Sequence, residues 1–423
     1  MKKFFYKFGL VLQDRALRTR ILFTLGALVV FRFLSIIPIP GVNETALSSL
    51  FANNEFLGLL NLFSGGGLSQ LSIVMLGVGP YITGSIIMQL MTVMSSRMKE
   101  MYQEEGEMGR KKFAQYGRML AIPFALIQGF SLIKLLESQS VIAALTPFDL
   151  MVNLIVITAG SMLLMWIGEL ITEYGIGNGV SLIIFAGIVS QLPTALSQFF
   201  YVFDPTQLPL YILFAVVALV VILLVVIVTE AERPIPVTYA KQVRGMKVYG
   251  GASTYLPLRM NQAGVMPIIF ASSILLFPQI ISQFLANVDY PMIKSVATAL
   301  NTFISNAWIY AVAYFLLVFI FTYFYTAVTF DPDQISKNLQ KNGAFIPGIR
   351  PGVPTADHIA KTLTRLTFVG ALFLGVIAVL PLIMRGVTGI TAISVGGTAL
   401  LIAVSVVIDL IKKIDAQVSI REY

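Results

Sequence analysis

Long apolar blocks alternate with short charged connections along the whole chain. The block at 208–228 contains no charged residue. A helix of that length rises by about 1.5 Å per residue and spans roughly 30 Å, the thickness of a bilayer's hydrocarbon core. Windows of about 20 apolar residues predict ten membrane-spanning helices. They cover approximately 21–38, 70–95, 116–136, 150–172, 178–198, 208–229, 264–286, 306–328, 366–384 and 392–411.

Composition and charge support a multi-pass membrane protein. The chain is 57% hydrophobic and 12% charged, with a mean hydropathy of +0.84, whereas soluble domains carry about 25% charged residues. The net charge of +8 is concentrated at the N-terminus and in alternate connections. The only basic residues of the opposite connections are Lys134, Lys294 and Arg385. By the positive-inside rule both termini are cytoplasmic, which requires an even number of spans. We therefore expect a protein of the cytoplasmic membrane without a cleavable signal peptide.

Chemically reactive side chains are scarce in the predicted spans. The chain has no cysteine, and its one histidine, His358, falls in a connection. Metal-binding and phosphate-binding motifs are absent from the sequence. We expect no enzymatic activity, no catalytic residue, no metal and no cofactor. An ion-coupled transporter would need ionisable groups near the membrane midplane, so the pattern favours a passive conduit. A secondary transporter with broken helices and an intramembrane enzyme or insertase are the competing hypotheses.

One apolar stretch, 61–90, contains many helix-breaking residues. Three glycines, Gly65 to Gly67, follow one another, and Gly77 and Pro80 interrupt the rest. Broken backbone at membrane depth must be buried in protein or line a cavity. The stretch therefore predicts a short half-helix inside a pore, followed by a helix restarted near the proline. An ordinary kinked membrane helix is the alternative.

Two connections, 230–263 and 329–365, are longer than membrane topology requires. Both mix proline, glycine and charge, and the second presents Arg350 between Pro347 and Pro351. Long loops of this kind commonly bind a partner. The alternative is that their basic residues only fix the topology.

Several strings along the chain resemble the SecY family, which forms the pore of the bacterial protein translocase. They include LNLFSGGGLSQLSIVMLGVGPYITGSIIMQL at 60–90, ERPIPVTYAKQ at 232–242, NQAGVMPIIFASSIL at 261–275 and GAFIPGIRPG at 343–352, in family order. The resemblance implies an all-α polytopic membrane protein with ten transmembrane helices. These would form two inverted five-helix halves, 1–200 and 201–423, around a central pore. The implied function is a protein-conducting channel.

The resemblance also implies a pore ring and a plug. Val78 and Ile82, like Val180 and Ile184, are four residues apart and lie on one helix face. A stiff ring of such side chains holds water poorly. From spacing alone, these residues could simply be common membrane-helix residues. The family often has isoleucine where this chain has valine, so the seal is expected to be slightly looser. The implied ring is Val78, Ile82, Val180, Ile184, Ile269 and Ile402, and the implied plug, at about 61–72, includes Leu62, Phe63, Ser64, Gly65, Gly66, Gly67 and Leu68.

A lateral gate and docking residues follow from the same resemblance. Thr83 and Gln89 on the second span and Asn261 on the facing seventh span would meet at a seam that opens to membrane lipids. Arg244 and Arg350 would receive the SecA ATPase or the ribosome. The implied subunit partners are SecE and SecG, and the implied substrates are unfolded preproteins.

Overall fold

The computed structural model describes residues 14–39, 61, 64–139, 141–143, 145–201, 208–239, 242–244, 247–249, 253–286, 291–388 and 396–422. Within these residues, ten helices coincide with the ten predicted spans, which confirms the prediction of a ten-helix membrane protein. They are α1 (Arg15–Leu34), α2 (Gly79–Met94), α4 (Gly106–Ser138), α5 (Pro147–Tyr174), α6 (Gly179–Tyr201), α7 (Leu208–Glu230), α8 (Met266–Ala286), α10 (Ala307–Thr329), α12 (Val353–Thr388) and α13 (Gly396–Glu422). Shorter helices are α3 (Ser96–Gln103), α9 (Pro291–Ser305) and α11 (Pro332–Lys341).

Several helices begin at positions that differ from the predicted ones, and a glycine with a positive φ explains two of the differences. The second span starts at Gly79 instead of residue 70, because Gly77 adopts a φ of +58° that a right-handed helix cannot contain. Pro80 lies in the first turn of α2, where its missing N–H is not needed. The ninth span starts at Val353, directly after Gly352 with a φ of +97°. The expected long loop before it is therefore shorter and partly helical.

The ten long helices pack as two groups. One group contains α1, α2, α4, α5 and α6, and the other contains α7, α8, α10, α12 and α13. Small residues permit close packing: a Cβ added to Gly84 of α2 would lie 2.7 Å from the Gly117 carbonyl oxygen of α4. The groups meet along two seams. In one, α8 contacts α2 and α4, and in the other, α13 contacts α6.

A small β-sheet joins the two long connections. Strand β1 (Glu232–Tyr239) pairs antiparallel with β4 (Ser253–Arg259) and also with β5 (Ala344–Phe345). A separate hairpin pairs β2 (Gln242–Arg244) with β3 (Lys247–Tyr249). The sheet covers an apolar cluster that unites both connections with the start of α12. Its buried members are Ile235, Val237, Leu258, Ala344, Ile346 and Ile359.

Candidate pore and plug site

The six predicted ring residues belong to one apolar cluster that both helix groups build. Five of them are buried and Val180 is half-buried against the same cluster. A Cβ added to Gly168 of α5 would lie 3.2 Å from the Cγ2 atom of Val180, so this valine also faces α5. The structure thus places all six residues in or against the same apolar cluster, and their role as a seal stays a prediction. The exposed fractions of the buried five are Val78 0%, Ile82 7%, Ile184 1%, Ile269 4% and Ile402 2%.

Residues 64–78, which precede α2, form consecutive turns. The predicted half-helix is therefore wrong for the described part of this segment. Gly65 and Gly66 have φ values of +66° and +86°, which glycine adopts readily and which interrupt a right-handed helix. The N–H of Ser72 donates to the Gly67 carbonyl at 2.9 Å. Leu62 and Phe63 lie outside the described residues.

Neighbouring elements satisfy the broken backbone of this segment. The N–H of Ile39 donates to the Leu71 carbonyl at 2.8 Å. The hydroxyl of Ser161 on α5 donates to the Gly77 carbonyl at 2.7 Å. Leu68 and Met75 are buried in an apolar cluster with side chains of α4 and α5. The segment is thus enclosed by protein, as non-helical backbone at membrane depth requires.

The predicted gate residues do not bond to one another among the described residues. The Thr83 hydroxyl accepts a hydrogen bond at 3.2 Å from Nε2 of Gln128 on α4. The amide of Asn261 donates to the Gly264 carbonyl at 3.2 Å. The buried side-chain oxygens of Gln89 and Asn261 lack a hydrogen-bond partner in the described part of the chain. Sequence reasoning missed Gln128, although a glutamine inside an otherwise apolar span was a usable signal.

The two predicted docking arginines lie on the joined connections. Arg350 is exposed, and its carbonyl accepts from the Thr355 hydroxyl at 2.9 Å. Gly348 and Gly352 on either side have positive φ values of 81° and 97°. Arg350 forms no ion pair with another described residue. The backbone of Arg244 pairs with that of Lys247, and the Arg244 side chain lies outside the described part.

Comparison with known proteins decides the family. The family model SecY matches residues 72–411. The chain belongs to the SecY family. The protein translocase subunit SecY of Corynebacterium glutamicum is 42% identical over 441 residues, and the match covers 97% of each chain. The Synechocystis protein of the same description is 41% identical, with 97% of this chain and 94% of that one covered.

Solved structures of SecY-family channels share the fold. A structure described as "The structure of a protein conducting channel" has 20% sequence identity and a TM-score of 0.67, and the match covers 96% of this chain and 93% of that one. "Sec61 in the Canine ribosome-channel complex from the endoplasmic reticulum" has 19% identity and a TM-score of 0.65 with the same coverage. The chain is a channel-forming protein translocase subunit of the SecY family.

Substitution of a buried ring residue by asparagine is expected to loosen the closed pore. Ile82→Asn or Ile184→Asn places an amide in the apolar cluster, and an unpartnered buried amide costs roughly 1–3 kcal/mol, so the closed state loses about fivefold or more in relative population. Export of a reporter with a defective signal sequence should rise. Val189→Asn, on the same helix as Ile184 but 40% exposed, is the control. Wild-type stringency in both ring variants would remove these residues from the seal.

Proposed function

We propose that this chain forms the pore through which secretory preproteins cross the cytoplasmic membrane in an unfolded state. The observation that carries the proposal is the apolar cluster shared by the two helix groups, in which all six implied ring residues lie. The glycine-rich segment packs directly beside it, since Val74 and Val78 belong to the same cluster. An apolar cluster shared by two helix groups can exclude ions, and it can admit a polypeptide if the groups move apart.

The proposed seal works by dehydration. Ions crossing a constriction lined with branched apolar side chains would have to shed their hydration shells. The same side chains form no strong bonds with each other, so a passing polypeptide can displace them. The implied plug at about 61–72 would reinforce this closed state from one side of the ring. We assign no catalytic role to the chain, and its partners would supply the energy.

The proposed lateral gate is the seam between α2 and α8. Thr83, Gln89 and Asn261 are polar groups at or near this seam, and polar contacts between membrane helices contribute about 0.6–2 kcal/mol each. The oxygens of Gln89 and Asn261, which have no hydrogen-bond partner among the described residues, would leave the seam weakly held. The division into halves 1–200 and 201–423 would let the seam open for hydrophobic segments to enter the lipid.

The proposed partners bind on the face formed by the joined connections. This face would be cytoplasmic, as would both termini. SecA or the ribosome would contact Arg244 and Arg350, and SecE and SecG would complete the complex. The sheet supports this proposal because it fixes two otherwise independent connections as one surface. Arginine suits such a surface, since its planar guanidinium forms paired hydrogen bonds with carboxylates.

Deletion of residues 63–71 tests the plug. The complex should still assemble, because the ten helices are left intact, and the closed channel should leak ions. Single-channel conductance in planar bilayers is the measurement. Conductance as low as that of the wild type would contradict the plug assignment, unless a neighbouring segment is found in its place.

Charge reversal at Arg350 tests the docking surface. Arg350→Glu should abolish SecA-driven preprotein import into vesicles while expression and complex assembly remain normal. Arg350→Lys should be impaired less, because lysine keeps the charge and loses the paired hydrogen bonds. Lys112→Glu, on an exposed position of α4 outside the joined connections, is the control for charge alone. Normal import by Arg350→Glu would overturn the assignment, and loss of folded protein would make the residue structural.

A further inference from the structure

Gly65, in the segment before α2, lies between α1 and α6, and neither side of it has room for a side chain. A Cβ added to Gly65 would overlap the ring of Phe31, which is 1% exposed on α1. A Cβ added to Gly187 of α6 would overlap the Cα atom of Gly65. The backbones at 65 and 187 are therefore in direct contact, which only glycine at both positions permits.

Polar side chains surround the next residue of the segment. An ideal Cβ at Gly66 would lie 3.5 Å from Nε2 of Gln191 and 3.7 Å from both Nη1 of Arg32 and Oγ of Ser190. Arg32 at the end of α1 donates to the Ser190 hydroxyl at 3.2 Å and so links α1 to α6. Nε2 of Gln191 is buried without a hydrogen-bond partner among the described residues.

Gly65 and Gly66 contact α1 and α6 mainly through close van der Waals packing. In the described part of the chain, the Arg32 guanidinium bonds to Ser190 and Ser35, and neither bond involves residues 64–68. The contact between Gly65 and Gly187 contains backbone atoms only. Dispersion between a few atoms is weak, so Gly65 and Gly66 can leave α1 and α6 without breaking a described hydrogen bond to either helix.

We infer that Phe31, Gly187 and the Arg32–Ser190 pair form a seat that positions the plug in the closed channel. The inference rests on the proposed function, in which residues 64–68 belong to the plug. Gly187 is the positioning residue, because any side chain there displaces the backbone of Gly65. The Arg32–Ser190 bond keeps α1 and α6 at the separation that the plug fits.

Gly187→Ala tests the seat. In planar bilayers containing the purified complex, the variant should increase the open fraction of the resting channel by about tenfold, the factor that about 1.4 kcal/mol produces in an equilibrium. Gly26→Ala is the matched control: it is also a helix glycine, on α1, and a Cβ there meets nothing within 4 Å. Thermal unfolding of the complex reports whether the variants fold.

Combining Gly187→Ala with the 63–71 deletion separates the seat from the plug itself. If Gly187 acts on the plug, the substitution adds nothing to the conductance of the deleted channel. An equal increase with and without the plug would overturn the seat, as would wild-type conductance of Gly187→Ala. Failure of the deletion alone to conduct would contradict the proposed plug instead.

Should Gly187→Ala not fold, Ser190→Ala replaces it, since removing one hydroxyl introduces no clash. It should raise the resting conductance only in the plug-containing channel, and no rise there would count against the seat.

Discussion

Backbone polar groups inside a membrane must find partners within the protein, and the organisation of this chain depends on that constraint. Residues 64–78 break the helical pattern at membrane depth, so their N–H and carbonyl groups need partners elsewhere. Ser161 and the extended backbone after α1 supply some of them. The surrounding helices must therefore enclose the segment. A bundle that encloses a broken segment has an interior that a simple packed bundle lacks.

The two-group packing converts this interior into a pore. The groups share one apolar cluster, and their main contacts lie along the α2–α4–α8 seam and the α6–α13 seam, with a smaller contact between α2 and α10. The side-chain oxygens of Gln89 on α2 and of Asn261 before α8 lack hydrogen-bond partners among the described residues. In the proposed gate these oxygens leave the first seam weakly held beside the apolar cluster, which suits a channel that opens both along its axis and toward lipid.

The ten helices follow from the sequence because the length of a continuous apolar run decides membrane insertion, as the block at 208–228 illustrates. The ring residues emerge only by resemblance, since valine and isoleucine at helical spacing occur in any membrane helix. Backbone conformation at particular glycines and long-range strand pairing account for the features that the sequence did not predict. The positive φ values of Gly65 and Gly66 replace the expected half-helix by turns, and Gly352 lets α12 begin early. The sheet that joins the long connections pairs residues more than 100 positions apart, such as Thr238 and Phe345, and no local pattern reveals that pairing.

The central claim is that a polypeptide passes through the apolar cluster between the two helix groups. The direct measurement is photo-crosslinking to a stalled translocation intermediate from a probe placed at Ile269. A probe at Leu219 of α7, a residue that is 67% exposed, is the comparison. The account predicts adducts to the translocating chain from Ile269 and none from Leu219. Adducts from Leu219 but not from Ile269 would place the path outside the cluster and contradict the account.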